Sequence, residues 1–188
     1  MAYTALLDAC VLYSAPVRDL MLRLAVTDLY RAKWSADIHA EWMRNLAAKR
    51  PDIPQASIDR LRVLMDVHVR DALVENYESL IPSLALPDPN DRHVLAAAIV
   101  GRADLIVTYN LADFPSAALA PYGIEAQHPD EFLRHQFDLA PDLVCSVVHE
   151  LRTGLKKPPR SVEQYLATLE AHGLRELTAA LHTRPHAL

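Results

Sequence analysis

The sequence has little cysteine, little glycine and no long apolar run, and each shortage argues against a class of protein. Two cysteines among 188 residues do not make a disulfide framework, so we expect a reduced compartment. Four glycines in a chain that is 51% hydrophobic argue against a low-complexity or disordered chain and favour a compact globular one. No secretory signal and no uninterrupted apolar stretch of ~18 residues is present, so we expect a soluble, cytoplasmic protein without membrane contact.

The sequence also lacks a strong excess of either charge. Its net charge of −5 does not by itself indicate a nucleic-acid binder, but the charges are unevenly spread. Residues 1–50 carry seven Lys/Arg against five Asp/Glu, residues 51–135 six against thirteen, and residues 136–188 six against six. The first segment could flank a polyanion or supply ordinary solvated helix positions, and charge alone favours the second interpretation. Its basic residues are Arg18, Arg23, Arg31, Lys33, Arg44, Lys49 and Arg50.

Hydrophobic periodicity predicts strands that alternate with helices, which is typical of a mostly parallel sheet covered on both faces. The predicted strands are 4–7, 33–38 (running into the next helix), 77–81, 103–110 and 122–127. The predicted helices are 16–31, one carrying Ile38, Trp42 and Leu46, one opened by Pro54, 92–101 and 129–137.

The last fifty residues differ in kind from the rest of the chain. They contain three helical segments and no predicted strand, with breaks at Pro158–Pro159 and at Gly173. We therefore predict an α/β domain over residues 1–136 and a helical extension over residues 137–188, which packs on that domain or on a partner.

Four acidic residues are candidates for one site. Asp8 ends the first strand, Asp91 opens a helix, Asp113 follows the strand that contains "LIVT", and Glu41 flanks the apolar stripe of its helix. Groups at the carboxyl ends of parallel strands share one rim of the sheet. Such a cluster repels itself unless a divalent cation lies at its centre, and carboxylate oxygens suit Mg²⁺ or Mn²⁺. The pattern therefore favours metal-assisted chemistry on a phosphodiester.

Each acid taken alone has a plainer interpretation. Asp88, followed by Pro89, has the features of a helix N-cap, and for Asp88 capping is favoured over metal binding. Asp91 can serve the start of the helix and a metal together. Asp113 could be a turn residue, and Glu41 a solvated helix acid. The joint placement of these acids, rather than any one of them, supports a site.

The chain resembles PIN-domain proteins of the VapC type, the toxins of bacterial toxin–antitoxin pairs. The resemblance is carried by "LLDACVLYSA", "ADIHAEWMRNL", "LPDPNDRHVLAAAIVGRADLIVTYNLADFP" and "YGIEAQHPDEFL", and it covers residues 3–135 almost continuously. The segment "LKKPPRSVEQYLATLEAHGL" is similar to the helical extension of one branch of that group.

This resemblance implies an α/β/α sandwich and a metal-dependent endoribonuclease that uses Mg²⁺ or Mn²⁺ to cleave single-stranded or looped RNA. It also implies a cognate antitoxin and a homodimer. The family's acid quartet corresponds to Asp8, Glu41, Asp91 and Asp113. The possible supporting or substrate-contacting residues are Asp88, Thr108, Asn110, Arg44 and Arg92. Two residues depart from the family pattern. Many PIN domains carry a polar residue where Cys10 stands, and this branch often has an Asp where Asn90 stands.

Three other functions are alternatives to a ribonuclease. A PIN-like module that binds RNA or protein without cutting is the main alternative. A phosphatase with an aspartyl nucleophile needs a second acid two residues after Asp8, where Cys10 stands. A zinc enzyme is disfavoured because the histidines and cysteines show no ligand spacing.

Overall fold

The computed structural model describes residues 3–188 and contains a parallel β-sheet enclosed by helices. Its strands are β1 (Thr4–Leu7), β2 (Arg31–Ser35), β3 (Leu73–Val74), β4 (Leu105–Val107) and β5 (Glu125–Gln127). They lie in the order β3-β2-β1-β4-β5, and each neighbouring pair is parallel. The predicted α/β sandwich with a helical C-terminal region is thus confirmed.

Helices make up most of the rest of the described chain. They are α1 (Ala9–Tyr13), α2 (Ala15–Val26), α3 (Ala36–Lys49), α4 (Gln55–His68), α5 (Arg92–Val100), α6 (Ser116–Leu119), α7 (Pro129–Leu139), α8 (Pro141–Gly154), α9 (Val162–Ala171) and α10 (Arg175–Leu181). Short 3-10 helices cover Glu78–Ser83, Pro89–Asp91, Leu111–Asp113, Ala120–Tyr122 and Pro185–Ala187. Within residues 3–188, none of these helices has both the length and the apolar character needed to cross a membrane.

The central strand is buried on both of its faces. Ala5, Leu6 and Leu7 are all 0% exposed, and successive side chains of a strand point to opposite faces. Helices therefore cover the sheet from both sides, which is the usual arrangement for parallel strands. Ile38 and Trp42 of α3 are equally buried and contribute to this core, as the apolar stripe predicted.

Several predicted elements differ from the structure in extent, and two differ most. The helix predicted over 16–31 ends at Val26, because Asp28 takes a left-handed φ of 60° and Arg31 already begins β2. The segment 77–81 is predicted as a strand, but its residues 78–81 lie in the 3-10 helix Glu78–Ser83, which includes Pro82. Proline has no N–H to donate to a strand ladder, and the strand that pairs with β2 is Leu73–Val74 instead.

The order of the strands fixes where a site can form. From the central strand β1 the chain first builds β2 and β3 on one side, then β4 and β5 on the other. The switch point therefore lies between the carboxyl ends of β1 and β4, the place where open α/β sheets bind ligands. Asp8 directly follows β1 and Thr108 directly follows β4.

The C-terminal helices are attached to the rest of the fold through α2 and α7. Helices α8 and α9 pack against α2, and α10 packs against α7. The buried Asp130 carboxylate accepts hydrogen bonds from the backbone N–H groups of Glu176 (2.8 Å) and Leu177 (3.0 Å), so a residue of α7 caps α10. The division at residues 136/137 falls inside α7 and stays a prediction.

Candidate active site

Asp8 lies at the switch point and is the most deeply buried of the four candidate acids. Its carboxylate accepts hydrogen bonds from the Ala9 N–H (2.7 Å), the Thr108 hydroxyl (2.7 Å) and the Cys10 thiol (3.2 Å). The backbone N–H of Asp8 donates to the Val107 carbonyl, which ties the end of β1 to the end of β4. Asp8 thus caps α1 and points into the rim at a fixed position.

Burial and hydrogen bonding act on the Asp8 charge in opposite directions. Burial raises the pKa of the Asp8 carboxyl above its ordinary value, and the Glu41 carboxylate adds to this increase. The donors from Thr108, Cys10 and Ala9 lower the same pKa because they favour the charged form. A buried carboxylate that accepts several hydrogen bonds is suited to binding a cation in its charged form.

Cys10 has a role at this site that the sequence pattern did not reveal. Burial raises the pKa of its thiol to about 12, so the sulfur keeps its proton and can donate to Asp8. The same sulfur accepts the backbone N–H of Tyr109 at 3.4 Å. Cys10 therefore supplies the polar contact to the first acid that its position in the family pattern calls for.

Glu41 reaches the rim from α3 and meets a histidine there. Its carboxylate lies 3.7 Å from Nε2 of His93, on the first turn of α5. Only the tertiary fold brings these two side chains, from α3 and α5, together. A histidine one residue before an apolar helix stripe gives no signal of such a contact.

The pKa of Asp91 responds to the other candidate acids. Its pKa is raised from 3.8 to about 6, first by burial and then by the charges of the other carboxylates. Those carboxylates are Asp8, Asp88, Asp113 and Glu41. Because acids from three other segments, Asp8, Glu41 and Asp113, act on the Asp91 carboxyl, the four predicted acids share one electrostatic neighbourhood.

The supporting residues divide into those tied to Asp8 and those that are not. Thr108 is fully buried and its hydroxyl donates to Asp8 while accepting the backbone N–H of Asn110 at 3.0 Å. The Asn110 residue itself is exposed, just before the 3-10 helix that carries Asp113. Asp88 accepts the backbone N–H of Asn90 at 2.8 Å, which is the predicted capping role.

The two arginines proposed for phosphate contacts differ in their surroundings. Arg44 is exposed on α3, whereas Arg92 is half-buried at the start of α5 with its Nε atom unpartnered among the described residues. Trp42 on the same helix as Arg44 is fully buried and packs in the core.

The donor set suits a hard divalent cation. Carboxylate oxygens are the ligands that Mg²⁺ and Mn²⁺ prefer, and a cation would relieve the repulsion that the neighbouring carboxylates exert on Asp91. Within residues 3–188, no three His, Cys, Asp or Glu side chains lie close enough together to hold a metal ion as they stand. The acids therefore share one electrostatic environment without forming a closed coordination sphere.

Comparisons with known proteins identify the family of the chain. The model of the PIN domain family matches residues 4–112, and the model of the VapC50 C-terminal domain matches residues 129–183. No solved structure matches the chain.

A curated relative is also similar to the chain. It is the Mycobacterium tuberculosis protein named "Putative ribonuclease VapC50", which is 46% identical over 79 residues. The match covers 42% of this chain and 47% of that protein, so it spans about half the length of the curated relative. Since the PIN model matches more than half of the residues and the second model matches the tail, the chain belongs to the PIN-domain family, in the VapC-type group with a C-terminal extension.

Proposed function

We propose that the protein is a metal-dependent endoribonuclease that hydrolyses RNA phosphodiester bonds and serves as the toxin of a toxin–antitoxin pair. The observation that carries this proposal is the buried Asp8 carboxylate, which three hydrogen-bond donors hold at the switch point of the sheet, in the same rim as acids from separate segments. Membership of the PIN family and the name of the ribonuclease relative support the same function.

The residues proposed to hold Mg²⁺ or Mn²⁺ are Asp8, Glu41, Asp91 and Asp113. When bound there, the ion would lower the pKa of water and neutralise the charge that grows on the phosphate during attack. Asp8 is suited to this role because Thr108, Cys10 and Ala9 orient its carboxylate and favour its charged form.

The remaining chemistry belongs to the protein's own groups. A carboxylate oxygen of the quartet takes a proton from the attacking water, whose oxygen forms a bond to phosphorus. The bond from phosphorus to the leaving ribose oxygen then breaks, and that oxygen gains a proton from solvent. Arg44 and Arg92 are proposed to hold flanking phosphates, as charge-assisted donors do.

We further propose single-stranded or looped RNA as the substrate, because its unstacked bases are open to recognition. An antitoxin that covers the acid rim, a homodimeric assembly and a cytoplasmic location complete the proposal. Co-elution of the purified protein with the product of the adjacent gene in stoichiometric amounts tests the partner, and its clean absence would count against it.

The direct test is cleavage of total cellular RNA by antitoxin-free protein with Mg²⁺ or Mn²⁺. EDTA and Asp8→Asn serve as controls. We expect discrete fragments that disappear in both controls, together with a rise in melting temperature when Mn²⁺ is added to the wild-type protein but not to the variant. A folded protein that neither cleaves RNA nor is stabilised by either ion would instead be the silent binding module.

A further inference from the structure

A second concave surface lies at the opposite end of the sheet from the acid quartet. It is a cavity of about 840 Å³ whose lining includes Thr4 and Arg31, the first residues of β1 and β2. Helices α2, α4 and α5 end beside it. It therefore opens at the amino ends of the strands, whereas Asp8 and Thr108 lie at the carboxyl ends.

The lining of this cavity is rich in positive charge. Arg31, Lys33, Arg70 and Arg102 contribute to it, against the two carboxylates of Asp28 and Asp71. Within the part of the chain that the structure describes, none of these four cations has a carboxylate oxygen within 4.0 Å. The ammonium group of Lys33 donates to the backbone carbonyl of Asp71. The cations are thus available to a ligand rather than paired with the protein's own acids.

Strand β2 departs from the usual pattern at this point. A parallel strand covered on both faces is normally a run of apolar residues, as β1 is. Arg31 and Lys33 are two residues apart and so project from the same face of β2. This end of that face is therefore left open to the cavity, with two charges placed where a covered strand would carry apolar side chains.

Helix termination explains only part of this charge. Cations are favoured near helix C-termini because the last carbonyl groups carry partial negative charge. That argument applies to Arg70 and Arg102, which follow α4 and α5, but not to Arg31 and Lys33, which come from a strand. The strand cations need another reason to face the same space.

We propose that this cavity binds the phosphate backbone of an RNA strand and acts as a docking site separate from the acid quartet. Four cations spread over three segments match a chain of phosphates better than a single compact anion. Tyr30, which also lines the cavity, is 1% exposed and cannot stack on a base, and the imidazole of His68 is bonded to the Leu64 carbonyl. The four cations therefore point to recognition of the backbone rather than of sequence. This inference rests on the proposed ribonuclease function.

The test measures the salt dependence of RNA binding. The parent protein carries Asp8→Asn, so that RNA is not cut, and the probe is a long unstructured polyuridine. The cavity variant adds Arg70→Gln and Arg102→Gln. The matched control adds Arg60→Gln and Lys156→Gln, which remove the same charge from exposed residues outside the cavity. Each lost phosphate contact lowers the slope of log affinity against log salt by about 0.7 for a single strand.

We expect the cavity variant to lose about 1.4 from that slope, and the control to keep the parent's slope. Equal slopes in all three proteins, or equal losses in the cavity variant and the control, would overturn the docking site. A separate assay uses protein that retains Asp8 and follows its cleavage of a short RNA. If that RNA is cut while the slopes are equal, only the docking site fails; if the protein neither cuts nor binds RNA, the proposed function fails as well.

Discussion

The two rims of the same sheet have opposite electrostatic characters. At the carboxyl ends of the strands, Asp8 and Asp91 belong to an acid cluster, and burial together with the neighbouring carboxylates raises the pKa of Asp91 to about 6. At the amino ends, Arg31, Lys33 and Arg102 surround an open cavity. The net charge of −5 is a sum over the whole chain, so it reveals neither the acid cluster nor the basic cavity.

The rims also differ in how tightly they are held. The acid rim is organised by hydrogen bonds that link Asp8, Cys10 and Thr108. The C-terminal helices reach it as well, because the Tyr109 hydroxyl donates to the His172 carbonyl at 2.8 Å. The cations at the other rim have no such network with carboxylates among the described residues. A rigid rim suits chemistry, and an adaptable one suits sequence-independent docking.

The sharpest way to break the acid rim is to remove one acid while keeping its shape. We expect Asp113→Asn to lower RNA cleavage at least about 100-fold, because a lost charge contact in the transition state is worth roughly 2.7 kcal/mol or more. The matched variant is Asp88→Asn, since asparagine caps a helix as well as aspartate does. The RNA cleavage rates of the two variants, measured with Mn²⁺ in excess, should differ by most of the loss expected for Asp113→Asn. Similar rates would remove Asp113 from the proposed site.

The attachment of the C-terminal helices gives the next largest effect. Asp130→Ala leaves two N–H groups of α10 without their acceptor, so we expect a loss of about 2 kcal/mol in the free energy of unfolding. Asp142→Ala removes an exposed ion pair with Arg184 and should cost less than about 1 kcal/mol. Urea denaturation of both variants measures this difference. Equal stabilities would mean that the Asp130 cap does not hold α10 in place.

Repulsion within the acid rim predicts a gain in stability. A carboxyl whose pKa is higher in the folded state than in the unfolded chain stabilises the fold at low pH, and this contribution is lost as pH rises through about 6. We therefore expect metal-free Asp91→Asn to melt about 2–4 °C above the wild type at pH 7.5, after allowance for solvent screening. The difference should shrink as the pH falls from about 6 and be absent below about 4. A lower melting temperature at pH 7.5 would contradict the raised pKa.

The sequence predicted the acid rim far better than the basic one. Asp8, Asp91 and Asp113 follow or precede recognisable elements, so strand order alone places them together. The contact between Glu41 and His93 depends on how α3 packs beside α5, which periodicity does not determine. The basic cavity was still harder to predict from the sequence, because Arg70 and Arg102 are distant in sequence from the mildly basic first segment.

Short elements account for the errors in the predicted fold. Strand β3 has two residues, too few for an alternating pattern, and its place as a neighbour of β2 comes from pairing rather than from propensity. The apolar segment beside Pro82 looked more like a strand but is a 3-10 helix. Local sequence therefore placed β1 and the long helices, although it overran the end of α2, while tertiary pairing decided the edge of the sheet.

The smallest expected effect tests whether the C-terminal helices influence the acid rim. Tyr109→Phe keeps the ring but removes the hydroxyl that donates to His172, at a cost of about 0.5–1.5 kcal/mol in the free energy of unfolding. The backbone N–H of Tyr109 still reaches Cys10, so the Asp8 network persists and cleavage should fall only a few-fold. Binding of long RNA in the Asp8→Asn background should not change, since the basic cavity lies at the other end of the sheet. A cleavage loss as large as that of Asp113→Asn would show that the C-terminal helices set the geometry of the site, and that the acid rim is not organised by the α/β domain alone.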